Sequence, residues 1–325
     1  MSKFKNILIL IACLGLTMSC AKPNVFEDYA SKDSDEALYA DAQKKIDALQ
    51  WDNAIDILEN QLSAGFKTRR DVLNTRAGAY AGKCGIKFST LVNGLKNASG
   101  GSANIFPYMM NLFSGVTVTP SACESAITIM QQIGAVGVRT ADENLFISIL
   151  GLARISTTLA AKLDAVDHDG IVDAGSNVCD DWVAGVAQHP WTNAEDPLDD
   201  YLPPLAAPAH YLTTADIQKV AAGVGLITEN LTALGDVLGA GNSVVGAISN
   251  ITTACTSVGI TCTITDPALV VDPKVIYGFR LILDTTAQGF GSCTLGTTFS
   301  APMHAPPAVP ADYAGVCCPF HKIVP

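Results

Sequence analysis

The residues whose types and spacing could do chemistry are the aspartates of the segment DAVDHDGIVD. Asp164, Asp167, Asp169 and Asp173 follow one another closely, and Gly170 lies among them. Carboxylate oxygens are the ligands that calcium prefers, and a glycine lets the chain turn sharply around the ion. The segment is therefore a candidate calcium site. The alternative is an acidic turn that ends the preceding helix, with Gly170 as its turn residue.

This segment resembles the calcium loops of EF-hand and dockerin proteins. With Gly170 at the sixth loop position, the later aspartates take the third, fifth and ninth positions. The first position is Ala165 and the twelfth is Ser176, where such loops carry aspartate and glutamate. Asp164 lies one residue out of register. The resemblance implies calcium binding through a looser set of ligands.

The sequence carries no recognisable catalytic constellation. Its five histidines lack the i, i+4 helical spacing of a zinc protease. Ser292 in GFGSCTLG does not match the glycine–serine elbow of hydrolases. His189 and His210 flank a proline-rich segment, and folding could bring them together. Because no nucleophile with its base and no metal-binding histidine pair is visible, we expect a protein that is not an enzyme.

The overall charge argues against one class of partner. The net charge is −11 at pH 7, whereas binding to nucleic acid depends on clustered lysine and arginine. Charged residues make up 16% of the chain and apolar residues 49%, against about 25% charged residues in an average globular protein. The chain therefore has ample material for a large core, and we expect no contact with nucleic acid.

The first twenty residues have the layout of a secretory signal. Lys3 and Lys5 precede an apolar run over 7–16, which is too short for a permanent membrane span. Small residues then lead to Cys20. The pattern resembles the lipobox of bacterial lipoproteins, in which the signal is cut before the cysteine and the cysteine is acylated.

The lipobox resemblance implies a location. It predicts a signal peptide over 1–19, a lipid on Cys20 and a polar tether over 20–36. Ala21 follows the cysteine, where aspartate retains many lipoproteins in the inner membrane. The resemblance therefore implies anchoring in the outer membrane, on its periplasmic side.

The cysteine count agrees with export. Of ten cysteines, Cys13 leaves with the signal and Cys20 would carry the lipid. The periplasm is oxidising, so the rest are expected to form up to four disulfides. Cys255 and Cys262 are close enough to close a local loop, and the other pairings stay open. The candidates are Cys84, Cys123, Cys179, Cys255, Cys262, Cys293, Cys317 and Cys318.

Helix-start patterns appear in the central part of the chain. Ser121 with Glu124, and Thr140 with Glu143, have the spacing of capping boxes. The second box precedes 145–163, which is apolar on nearly all sides. That segment is predicted to be a central buried helix.

The N-terminal region has a repeated helical pattern. Apolar periodicity predicts helices over 35–49, 53–62 and 68–82. This part resembles a tetratricopeptide repeat, in which paired antiparallel helices cross closely at small residues. The matching positions are Leu38, Ala42, Trp51, Ala54, Leu73, Ala77 and Tyr80. The alternative is an ordinary helical hairpin that uses alanine at its crossing.

Together these patterns predict an all-α fold of stacked antiparallel helical hairpins. The predicted parts are TPR-like hairpins over 37–98, a helical body over 99–290 with a proline-rich loop at 187–211, and an extended, disulfide-stapled C-terminal strap over 291–325. The resemblances imply a membrane-anchored scaffold that binds another envelope protein. An alternative resemblance is to the T-component lipoproteins of TRAP transport systems, which are helical carriers with an apolar pore. In that case 145–163 and 217–238 would line a continuous cavity.

Overall fold

A computed structural model describes residues 33–87, 91, 93–95, 104–174, 176–179, 210–239, 242–257 and 259–291. Within these ranges the chain is mostly helical, as predicted, with one short parallel pair of strands. Several predicted features lie outside the described residues: the signal peptide over 1–19, Cys20, most of the tether over 20–36, nearly all of the loop at 187–211, His189, Cys293, Cys317, Cys318 and all of the strap beyond residue 291.

The N-terminal helices form close to the predicted positions. They are α1 (Asp35–Asp47), α2 (Trp51–Asp56) continued by a π-helix (Ile57–Gln61), α3 (Ala64–Lys67) and α4 (Arg70–Cys84). The Ser34 side chain caps α1 by accepting a hydrogen bond from the N–H of Ala37. Gly85 ends α4 in the left-handed conformation, with φ of 106°.

Helix α4 contributes to two apolar clusters. Val72 and Ala79 pack with α1, α2 and the π-helix in a small N-terminal cluster. Leu73 and Ala77 face the main core instead. Because α4 is apolar on two sides, it joins the N-terminal helices to the rest of the fold.

The central helices are α5 (Ile105–Asn111), α6 (Pro120–Gln131) and α7 (Ala141–Leu163). Thr140 and Glu143 form the predicted capping box at the start of α7. The box predicted at Ser121 is wrong, because α6 begins at Pro120 after the N-cap residue Thr119. Glu124 pairs instead with the buried Arg154 of α7.

Helix α7 is the core helix, as predicted. It contacts α5 and α6 and two later helices. By length and composition it is the helix of the described part that could cross a membrane, but 78% of its most apolar stretch is buried inside the fold. We therefore read it as the centre of a packed domain.

The remaining elements follow α7. They are strands β1 (Ser176–Asn177) and β2 (His210–Tyr211), and then α8 (Thr214–Glu229), α9 (Leu231–Leu238), α10 (Ser243–Ser257), a 3₁₀ turn (Pro267–Leu269) and α11 (Pro273–Leu283). The apolar stripe over 217–238 is divided between α8 and α9 at Asn230, whose side chain donates to the carbonyl of Leu226 at 2.8 Å. Both helices pack on α7.

Helices α7 and α8 approach closely through two glycines. A Cβ atom on Gly223 would lie 2.6 Å from Cγ1 of Ile155. A Cβ atom on Gly151 would lie 3.0 Å from the carbonyl oxygen of Gly223. Each glycine therefore lets the other helix approach to backbone contact, and the crossing has no room for an added methyl group.

Two disulfides tie described elements together. Cys84–Cys123 links α4 to α6, with the Cα atoms 5.2 Å apart. Cys255–Cys262 closes the predicted local loop after α10, with the Cα atoms 6.1 Å apart. Cys179 is also disulfide-bonded. Five of the eight candidate cysteines are therefore disulfide-bonded, four of them in the two bonds between described residues.

Candidate functional site

A groove of about 1060 Å³ lies beside the turn between α1 and α2. Leu49 lines it from that turn and Trp51 from the start of α2. Lys83 lies near the end of α4, Lys87 lies just after that helix, and Phe146 lies on α7. We call this surface, defined by those five residues, the N-terminal groove. The sequence did not predict it, because its shape depends on the packing of several separate helices.

Leu49 occupies a strained position on this groove. Its φ is 58°, and its residue surface is 69% exposed. The N–H of Leu49 donates to the carbonyl of Ile46 at 2.9 Å, and that of Gln50 donates to Lys45 at 2.8 Å. These bonds form a Schellman motif, whose left-handed position is usually glycine. A leucine there costs about 1–2 kcal/mol, and its exposed side chain recovers little of that by packing.

Trp51 packs against the backbone of α4. A Cβ atom on Gly82 would lie 2.6 Å from three ring atoms of Trp51. The indole therefore lies directly on the helix, at a position where only glycine leaves room for it. This contact fixes the ring within the groove.

Charged side chains border the apolar part of the groove. Lys83 forms an ion pair with Asp52 at 2.6 Å. Lys87 is exposed and has no ion pair within the described part of the chain. Asp47, also exposed, lies at the end of α1. The groove therefore offers apolar contact area with charges of both signs around it.

The acidic segment after α7 forms a second site. Asp164, Asp167 and Asp173 each place one carboxylate oxygen within 4.8 Å of the other two. Asp169 is not part of this cluster, and its Oδ1 accepts a hydrogen bond from the N–H of Ile171 at 2.7 Å. The structure thus brings together three of the four predicted calcium ligands.

The acidic loop is held against the turn that follows α5. The N–H of Gly115 donates to the carbonyl of His168 at 2.8 Å, and the Ser114 hydroxyl donates to the carbonyl of Asp169 at 2.8 Å. Gly170 has φ of 88°, and a Cβ atom there would lie 2.6 Å from Nδ2 of Asn111. Gly170 is therefore the turn residue, as both interpretations of the segment require.

Asp164 is the most buried member of the cluster. The residue is 1% exposed, and it forms the C-terminal cap of α7. Its Oδ2 accepts a hydrogen bond from the N–H of Gly170 at 2.9 Å. Its Oδ1 is buried and has no hydrogen-bond partner among the described residues. Burial raises the pKa of this carboxyl above its ordinary value.

Asp173 is bound to the loop from the other side. Its Oδ2 accepts hydrogen bonds from the N–H groups of Ala165 and Val166, at 2.7 and 3.0 Å. Nε2 of His210, on β2, lies 3.6 Å from the same oxygen. From the sequence, folding could bring His210 to His189, which lies outside the described residues. No local signal indicated the approach of His210 to Asp173, because the β1–β2 pairing brings these two residues together.

The described residues thus contain two candidate sites: an apolar groove with a charged border, and a cluster of three carboxylates on an ordered loop. The groove can bind but carries no evident reactive group among the five residues that define it. The loop can hold a cation. Comparisons of the chain with protein-family models, with curated proteins and with solved structures find no match.

Proposed function

We propose that this protein is an exported lipoprotein, held at the outer membrane through Cys20, that binds another envelope protein in the N-terminal groove. The signal pattern and Cys20 support the anchor, and the disulfides suit an oxidising compartment. The groove supports the binding role. The proposed activity is non-catalytic.

The observation that carries the proposal is the conformation of Leu49. A left-handed leucine destabilises the fold, and glycine would remove the strain. Leu49 is also 69% exposed, so packing against the described residues does not explain the side chain. Strained backbone conformations cluster at active sites and ligand-binding surfaces. We infer that a partner covers Leu49.

The N-terminal helices suit a tetratricopeptide-like scaffold. Ala42, Ala54 and Ala77, the small residues of the repeat pattern, are all 0% exposed. Small buried residues at these positions let neighbouring helices pack closely. Stacked helical pairs of this type present extended binding surfaces, and we propose that the groove is such a surface.

The partner that fits best is a protein segment with an apolar side chain at its centre. Leu49, Trp51 and Phe146 would contact that side chain. Lys87, which has no ion pair in the described residues, would meet an acidic group beside it. A partner with this chemistry would bury the leucine that the free protein leaves in water.

Site-specific crosslinking in intact cells tests the binding role. A photoreactive amino acid replaces Gln43, an exposed residue that lines the groove. We expect one adduct of defined mass, and we expect Leu49→Gly to abolish it. The same substitution should raise the melting temperature by about 2 °C, since it relieves strain. If Leu49→Gly is more stable but does not form the adduct, the loss of binding is not caused by unfolding.

Leu269 provides the matched control. It is 65% exposed and does not line the groove. Leu269→Gly should leave the Gln43 adduct intact, and a photoreactive residue at position 269 should not give that adduct. The groove is not the binding surface if Leu49→Gly keeps the adduct, or if both positions capture the same protein.

The carrier alternative gains no support from the helices expected to line its pore. That pore requires space between the segments 145–163 and 217–238. At Gly151 and Gly223 these helices are in backbone contact. We therefore favour the binding role over transport of a small molecule or lipid.

A further inference from the structure

We propose that the acidic loop binds one calcium ion between Asp164, Asp167 and Asp173. Calcium lies about 2.3–2.6 Å from its oxygen ligands, so two ligands on opposite sides of one ion are about 5 Å apart. The three carboxylates each place an oxygen within 4.8 Å of the others. These separations are compatible with one calcium ion between the three carboxylates.

A second observation points to a ligand: Oδ1 of Asp164 is buried and lacks a hydrogen-bond partner in the described part of the chain. Buried polar atoms are nearly always satisfied, and a carboxylate is costly to leave unpaired. Asp164 itself belongs to the cluster and is only 1% exposed. A cation that Asp164 binds through Oδ1 would supply that partner.

No described lysine or arginine supplies the compensating charge, and the basic groups near the cluster are the imidazoles of His168 and His210. Among the described residues, neither Asp164 nor Asp167 forms an ion pair with lysine or arginine, and Asp173 approaches only His210, at 3.6 Å. Three carboxylates within a few ångströms repel one another in a partly buried place. A divalent cation is the simplest group that offsets this repulsion.

The acidic turn alone does not account for the arrangement. A turn that ends α7 explains the bond from Gly170 to Oδ2 of Asp164, and the two bonds that Asp173 accepts from the loop backbone. It does not explain the unpartnered Oδ1 of Asp164. The acidic turn and a cation site are therefore compatible, but only a bound cation would give Oδ1 of Asp164 a partner.

Calcium suits the site better than magnesium or zinc. Calcium accepts six to eight oxygens in irregular geometry, whereas magnesium requires a near-ideal octahedron. Zinc prefers nitrogen and sulfur ligands in a tetrahedron. The loop provides carboxylates at uneven depth, with Asp164 buried and Asp167 exposed, which favours the more adaptable ion.

The test is calorimetric titration of the purified, chelator-treated protein with calcium chloride. We expect one saturable site with a Kd of about 0.1–1 mM, the range of extracellular calcium modules. Asp167→Asn should weaken binding about tenfold or more, because affinity follows the number of charged ligands. Asp167 is exposed, so this change should leave the fold intact.

Asp169→Asn is the matched control, since it removes the same charge from the same loop outside the cluster. It should change the Kd by less than about threefold, because charges outside the ligand set act only at a distance. Equal weakening by the two variants would mean diffuse attraction to an acidic surface and would overturn the proposal. A flat calcium titration, or saturable binding of zinc without calcium, would overturn it as well.

A measurement on the wild-type protein alone completes the test. Terbium, which also takes oxygen ligands, should bind at one site and be displaced by calcium but not by an equal concentration of magnesium. Calcium should also raise the melting temperature, since it binds the folded loop only. Terbium that calcium does not displace would count against the proposal, whatever the variants show.

Discussion

Arg70, at the start of α4, donates hydrogen bonds through Nε and a terminal nitrogen to the carboxylate of Glu143, which also closes the capping box of α7. Asn74 donates to the same carboxylate at 3.0 Å, and the N–H of Thr140 does so at 2.7 Å. The Glu143 side chain therefore caps the N-terminus of α7 and also links α4 to that helix. Through this residue the groove-bearing helices are coupled to the core.

Glu143 should make the fold sensitive to acid. The hydrogen bond from Arg70, and then those from Asn74 and Thr140, hold the pKa of Glu143 well below its ordinary value. A pKa that is lower in the folded state gives stability above the unfolded value of about 4.3, and that stability is lost as the pH falls toward the folded value. Glu143→Gln should lower the free energy of unfolding at pH 7 by about 2 kcal/mol.

Urea unfolding at pH 7, 5 and 3 measures this effect. The difference between wild type and Glu143→Gln should shrink as the pH falls below about 4. Asp142→Asn is the control, because Asp142 is exposed in the same helical turn, and it should change stability by less than about 0.5 kcal/mol. A loss that is constant across the three pH values would contradict the charge-based explanation.

The two disulfides should contribute different amounts to the free energy of unfolding. Cys84–Cys123 spans 39 residues and Cys255–Cys262 spans 7. Loop-closure entropy then predicts stabilisation of about 4 and 2.5 kcal/mol, respectively. The paired substitutions Cys84→Ser with Cys123→Ser, and Cys255→Ser with Cys262→Ser, test this by guanidinium unfolding. A larger loss from the shorter loop would mean that closure entropy is not the dominant effect.

Close packing of α7 and α8 predicts that replacing glycine by alanine has opposite effects on stability at Gly223 and Gly235. Gly223→Ala should destabilise the protein by about 1–3 kcal/mol, because the new methyl group meets Ile155 and the backbone at Gly151. Gly235→Ala, in α9, meets nothing within 4 Å and should stabilise by up to about 1 kcal/mol. Thermal unfolding compares them. If Gly223→Ala were tolerated as well as Gly235→Ala, a space between α7 and α8 would regain support, and with it the carrier function.

The proposed anchor is tested at Cys20. Cys20→Ser should move the protein from the membrane fraction to the soluble periplasmic fraction, because the acylated thiol is lost. Cys13→Ser, within the same predicted signal, should leave membrane attachment unchanged. Membrane fractionation followed by immunoblotting measures both. Continued membrane retention of Cys20→Ser would exclude attachment through this residue.

The candidate sites were predictable to different extents. The carboxylates of the acidic loop are close in the chain, so three of the four named ligands lie together. The Asp169 carboxylate instead accepts a hydrogen bond from the N–H of Ile171. The local course of the backbone determines this contact. The N-terminal groove was not predictable, because neither the left-handed conformation of Leu49 nor the presence of Phe146 in the same groove follows from neighbouring residues.

The sequence by itself determined the features that depend on residues close together in the chain. The capping box at Thr140, the helical form of the apolar segment after it and the local disulfide Cys255–Cys262 depend on contacts between near neighbours in the chain. Such contacts form with little loss of chain entropy, so the local pattern fixes them.

Only the tertiary structure decided which distant groups meet. Arg154 interrupts an apolar run in the sequence, yet it is 3% exposed and paired with Glu124 at 2.6 Å, and it also donates to the carbonyl of Thr265. A charge becomes tolerable in a core only when folding brings such partners to it. The partners lie on other elements, so helix packing, rather than periodicity, determined that ion pair, the Cys84–Cys123 bond and the groove.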